Sequence, residues 1–146
     1  SVTMPTGSTL QIVEASFTTQ VDISTTSYVD IGLTATITPK STSSKILVVG
    51  SAHFDSGGDG NGIFLAVYRY IGSGGYANPI SYATDYAQTS DDSRENKTVP
   101  AWPYLDSPNT TSATTYKTQF KSASGSADVR VGNGSTMTIT LMEIGA

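Results

Sequence analysis

The sequence contains no cysteine. A disulfide framework and a thiolate metal site are therefore excluded. Charge is scarce as well. Lys and Arg number 8, Asp and Glu 12, and the net charge is −4 over 146 residues. The few cations are scattered, so no nucleic-acid partner bound through its phosphates is expected. No apolar run approaches the ~18 residues of a membrane-spanning helix, and no membrane span is expected. The opening SVTMPTGS has neither the basic start nor the apolar stretch of a secretory signal. A single histidine, His53, and the lack of a G-x-S-x-G elbow leave a Ser–His–Asp centre without support. A zinc site would have to be completed by carboxylates. Neither enzymatic activity nor a cofactor is expected.

Large apolar side chains are also in short supply. Leu, Ile, Val and Phe total 30, while Ser (20) and Thr (22) fill the gap. Low charge separates this composition from that of a charge-expanded disordered chain. Ser and Thr suit strands and turns and keep a surface wet without charge. A modest core implies that part of the stability comes from contacts between subunits.

What is present is alternation. The stretch from Ser27 to Phe54 holds the clearest case. Leu33, Ala35 and Ile37 point one way and Thr34, Thr36 and Thr38 the other, which is the two-residue period of a strand. Pro39 lacks an amide hydrogen and ends it. KSTSS turns, and KILVVGSAHF follows as the densest apolar run, reading as a central strand covered on both faces. Gly50 allows a bulge there.

Before this stretch, LQIVEASFT places Gln11, Val13, Ala15 and Phe17 on one face, and TQVDISTTS is irregular or a short edge strand. After it, DSGGDGNG is a loop. IFLAVYRY sets Ile63, Leu65, Val67 and Arg69 against Phe64, Ala66, Tyr68 and Tyr70. ISYATDYA is a weaker strand. TVPAWPYL holds two prolines and reads as an edge or irregular strand. TYKTQFKS turns Tyr116, Thr118 and Phe120 inward. Residues 127–131 and 137–144 are expected to form a hairpin across GNGS. Eight or nine short strands without a helix predict an all-β antiparallel sandwich of jelly-roll or Greek-key type. The length fits one domain, with residues 1–9 as an arm and 10–146 as the sandwich.

Candidate sites are few. Asp55, Asp59 and Asn61 offer oxygen ligands for calcium in a Gly-rich loop. Gly57 stands where an EF-hand places a ligand, however, and no Glu closes the loop, so a plain loop is the favoured reading. Asp85 with Asp91 or Asp106 has the composition of a glycosidase pair, but nothing fixes their separation. Tyr76, Tyr82, Tyr86, Trp102 and Tyr104 join apolar bodies to polar tips and suit a core, a subunit interface or a sugar ring. Trp102, between Pro100 and Pro103, is the leading interface anchor.

Four stretches carry a resemblance: TSYVDIGLTATITP, STSSKILVVGSA, LDSPNTTSATTYKTQFKS and STMTITLMEIGA. In order and spacing, over residues 10–146, they resemble a family of virion surface domains of tailed bacteriophages, commonly fibre or tail-fibre tips. The resemblance implies a non-enzymatic structural protein, a homotrimer on the virion surface, made in the cytoplasm of a bacterial host. These motifs supply turns and core strands, so no binding residue carries over from them. Fibre subunits of that family have a stalk ahead of the domain, whereas only residues 1–9 precede the first strand here. The leading expectation is thus a head-decoration (cement) protein whose partners are its own copies and the major capsid protein. The alternative is a tail-fibre tip that attaches to a host surface glycan or protein.

Overall fold

The computed structural model describes residues 4–56, 62–73, 79–83, 95–123, 125 and 129–146. Ten strands follow one another: β1 (Thr9–Phe17), β2 (Val21–Ile23), β3 (Val29–Ile37), β4 (Lys45–Ser56), β5 (Ile63–Ile71), β6 (Pro79–Ala83), β7 (Glu95–Asp106), β8 (Thr114–Ser122), β9 (Val129–Val131) and β10 (Met137–Ile144). They form two antiparallel sheets. The first has the order β1-β10-β4-β9-β2, with β7 on the other edge of β4. The second has the order β3-β8-β5-β6. Among the described residues there is no helix, hence none long and apolar enough to cross a membrane.

Two of the ten strands continue others. β10 pairs with β4 from Lys45 to Ser51, and β9 pairs with the same β4 from Phe54 to Ser56. Both run antiparallel to β4, so they lie end to end instead of forming the hairpin expected across GNGS. Gly132 and Gly134 take φ of +85° and +74°, which lets residues 132–136 loop out and rejoin the same line. The loop is tied down where Gly132 N–H donates to the His53 carbonyl (2.9 Å) and Ser135 N–H to the Gly132 carbonyl (2.8 Å). β1 and β2 are interrupted at the same level, and β2 pairs with β9. Merging the collinear segments leaves two four-stranded sheets whose connections cross between layers, except that β5 and β6 pair within the second sheet, which is the jelly-roll arrangement.

Gly132 is the joint on which this line depends. A Cβ there would lie 2.5 Å from the Thr19 carbonyl oxygen, against a positive φ. Gly132→Ala is expected to cost at least about 2 kcal/mol, from left-handed strain and the clash together. A urea titration of the variant measures it.

The core lies between the sheets and follows the alternation. Ile31, Leu33, Ala35 and Ile37 of β3 face Ile46, Val48, Ala52 and Phe54 of β4 and Met137, Ile139 and Leu141 of β10. On β8 the buried set is Thr114, Tyr116, Thr118, Phe120 and Ser122. Small hydroxyls between two large rings explain how a chain with few aliphatics fills its interior. β7 is an edge strand, as its prolines imply, and a register shift opposite Gly50 and Ala52 leaves it one residue longer than its partner.

Two polar clamps fasten the sandwich, the first between the layers and the second between the first sheet and the β3–β4 connection. Arg69 of β5 reaches Asp106 of β7 with two hydrogen bonds, 2.6 and 2.8 Å, and the Tyr116 hydroxyl donates to the same carboxylate at 2.7 Å. Burial, reinforced by Asp106, pushes the Tyr116 phenol far above its ordinary pKa, so it remains a donor. The second clamp is Glu143, fully buried on β10. It accepts from Gln11 Nε2 (2.6 Å) and from the Lys40 amide (2.7 Å).

Burial alone would push the Glu143 carboxyl up. The Ser44 hydroxyl beside it, Gln11 and the Lys40 amide outweigh that and hold it below its ordinary value. Ser44 Oγ faces the carboxylate without good hydrogen-bond geometry, so the Gln11 and Lys40 donors carry the clamp. A carboxyl depressed in the folded state stabilises fully above its unfolded pKa of about 4.5 and less as pH falls through the lower folded value. The urea midpoint is therefore expected to fall below about pH 4.5. Glu143→Gln should flatten that part of the profile.

Candidate assembly surface

A two-layer sandwich covers only one face of each sheet. On the first sheet the outward residues are read from the pairing. Ile12 is opposite Met142, Met142 opposite Leu47, and Leu47 opposite Leu105. One apolar row thus crosses all four strands at a single level. Ile12 is 60% exposed and Leu105 50%; Met142 and Leu47 are half-buried. One level away, Val49 and Pro103 continue the apolar surface on β4 and β7. On the other side Ile144 is opposite Lys45. Beyond them a cleft of about 420 Å³ is lined by Thr6, Gly7, Lys45, Leu105, Ile144, Gly145 and Ala146. Gly7 is fixed beside it, since its N–H donates to the Gly145 carbonyl (2.7 Å).

β4 was expected to be covered on both faces. Its inner face is covered, and it is central, with β10 and β9 on one edge and β7 on the other. Its outer face carries Leu47 and Val49 without a third layer of described residues. A dense apolar run marks two faces that shed water; it does not say whether the second cover comes from the same chain.

The outer face of the second sheet differs in chemistry. Tyr28 and Tyr68 meet edge to face at 6.1 Å. Lys121 Nζ lies 4.8 Å from the Tyr28 ring centre and 5.0 Å from that of Phe64, and Lys117 Nζ lies 5.3 Å from that of Tyr70. Lys117 also pairs with Asp30 at 2.8 Å. Burial raises the Asp30 carboxyl, but Lys117 and the Gly32 amide more than offset it and hold it low. This face is a layer of half-buried rings with two lysines on it.

The residues singled out from the sequence fall in different places. Tyr104 is half-buried on β7, and Tyr82 and Trp102 lie on β6 and β7 with their backbones opposite Ala66 and Gly50. Tyr76 and Tyr86 lie outside the described residues, as do Asp59 and Asn61. Asp55 belongs to β4, not to the loop, and is buried with Asn133 Nδ2 donating to it at 2.8 Å. Among the described residues no group of acidic or histidine side chains is arranged to hold a metal ion. Asp106 is buried and committed to Arg69 and Tyr116, so it is a fastening between sheets and not a free acid. Asp85 and Asp91 lie outside the described residues. His53 Nδ1 is 3.4 Å from Thr98 Oγ1 across the β4–β7 pair.

The class defined by this geometry is a jelly-roll sandwich with one apolar outer face and one aromatic, lysine-bearing outer face. No family model and no curated protein matches the sequence. Among solved structures the chain is similar in fold to VP2 of infectious bursal disease virus. In the subviral particle the TM-score is 0.55 at 12% identity, over 95% of this chain and 39% of VP2. In the T13 viral particle the TM-score is 0.52 at 13% identity, over 95% of this chain and 37% of that one. The chain therefore spans about two fifths of the proteins it resembles, and the likeness is one of fold.

Proposed function

We propose that the chain is a non-enzymatic structural protein of a virus particle, a bacteriophage head-decoration (cement) protein that sits as a homotrimer on the virion surface against the major capsid protein. The observation that carries this reading is the match of nearly the whole chain to the fold of a protein that builds viral particles. The outward apolar row supports it, because an exposed apolar band of that kind marks a protein contact. Purified chain in multi-angle light scattering is expected to give a trimer that sediments with phage heads. A stable monomer with no affinity for heads would sink the proposal.

The alternative reading is a tail-fibre tip that attaches to a host glycan or surface protein. Tyr28, Phe64, Tyr68 and Tyr70 with Lys117 and Lys121 on one face are the observation in its favour, since rings with polar partners suit sugars. Binding of labelled protein to susceptible cells, abolished by Lys121→Glu, is the expected result on this reading. An unlabelled cell surface together with density on the head excludes it.

A further inference from the structure

We infer that the outer face of the first sheet is the contact for a second copy of this chain, packed face to face about a two-fold axis through Met142. The inference goes beyond the trimer reading and does not depend on it.

The choice of occupant follows from the charges that flank the row. Lys45 stands on β4, one strand and one level from Met142 on the Ile144 side. Glu14 stands on β1, one strand and one level from Met142 on the opposite side, beside Thr140. Glu14 and Lys45 are therefore symmetric about Met142. An axis lying in the face, through Met142 and perpendicular to the line joining them, exchanges the two. Each Lys45 of one copy then faces Glu14 of the other, and Met142 packs on its own counterpart. The remaining row residues, Ile12, Leu47 and Leu105, supply the apolar centre that such contacts have. An interface of this kind is isologous, using the same patch twice. The strands of the copies cross at a large angle, within the orthogonal class of sheet packing.

Addition of copies along one of the two edges of this sheet is opposed by the chain itself. The β7 edge contains Pro100 and Pro103 and a register shift, devices that block strand pairing.

Size sets the strength. Four strands at ~4.8 Å spacing, over about seven residues each, make a face of roughly 450 Å². A standard stable interface buries about 800 Å² per partner. Pairing through this face alone is therefore weak and depends on concentration. It becomes effective when many copies are arrayed together.

Light scattering of the full chain over a concentration series tests the inference. The mass is expected to rise to a limit twice that of the low-concentration species. Ile12→Glu and Leu105→Glu, at the most exposed positions of the row, should halve the limiting mass while leaving the circular dichroism and melting temperature unchanged. Lys45→Glu and Glu14→Lys should each weaken pairing about tenfold or more, and the double exchange should restore it, because like charges face each other only in the single variants. A limiting mass that ignores Ile12→Glu, or a double exchange no better than either single one, overturns the inference. If Ile12→Glu leaves the mass unchanged but abolishes binding to heads, another virion protein occupies the face and the inference is likewise overturned. The trimer reading is judged separately, by whether the mass of the Ile12→Glu variant is a multiple of three chains.

Discussion

Asp106→Ala is expected to lower the unfolding free energy by about 3 kcal/mol. The side chain is 6% exposed, and that of Arg69, its partner, is 27% exposed. Removing the carboxylate strands a guanidinium in a partly dry site and leaves the Tyr116 hydroxyl without its acceptor. Loss of one partner of a buried pair costs ~3–5 kcal/mol, and the partial exposure of Arg69 keeps the effect at the lower end. At this chain length the melting temperature should fall by roughly 6–12 °C. Tyr116→Phe is the control. It removes one hydrogen bond to a charged group and should cost about 1.5–3 kcal/mol. If Asp106→Ala proved no worse than Tyr116→Phe, the Arg69 contact would add nothing to the fold. Differential scanning calorimetry distinguishes the two cases.

Phe120→Ala is expected to cost about 3–5 kcal/mol, while Ile12→Thr changes stability by no more than about 0.5 kcal/mol. Both positions look alike in the sequence: an apolar residue in an alternating strand. Phe120 is fully buried on β8, with its backbone between those of Val29 and Leu65. Deleting its ring leaves a cavity that the two sheets cannot close. Ile12 is on the opposite surface of the sandwich and mostly in water. Chemical denaturation of the two variants at low protein concentration reads the difference directly. A large loss for Ile12→Thr under those conditions would mean that the outer row belongs to the folding core.

Much of the fold was legible. The period alone sets Leu33, Ala35 and Ile37 of β3 on one face and turns Tyr116, Thr118 and Phe120 of β8 inward, and all six are buried. Gln11, Val13, Ala15 and Phe17 were set on one face of β1, and Val13, Ala15 and Phe17 pack against the core. The edge position of β7 followed from Pro100 and Pro103. The site was far less legible. Ring chemistry is visible in a sequence, so the candidates read from it are loop and edge aromatics, which suit a core, a subunit interface or a sugar ring alike. The row of Ile12, Leu47, Leu105 and Met142 was not found. Its members are spread over four strands from one end of the chain to the other, and each is unremarkable in its own segment. The expected hairpin across GNGS failed for a related reason. A Gly-Asn-Gly turn permits reversal, yet local chemistry does not decide whether the chain reverses or rejoins its line. That decision came from β4, whose far end lies open for β9 beyond the end of β10.

The sequence by itself determined that this protein is built of strands, which side of most strands is apolar, and which chemistries are missing. Those are properties of period and composition, set within a few residues. The tertiary structure alone decided which apolar side is inside, which carboxylates are fastenings, and which four side chains meet on the outer surface. Those depend on strand order and register, which join residues more than a hundred positions apart.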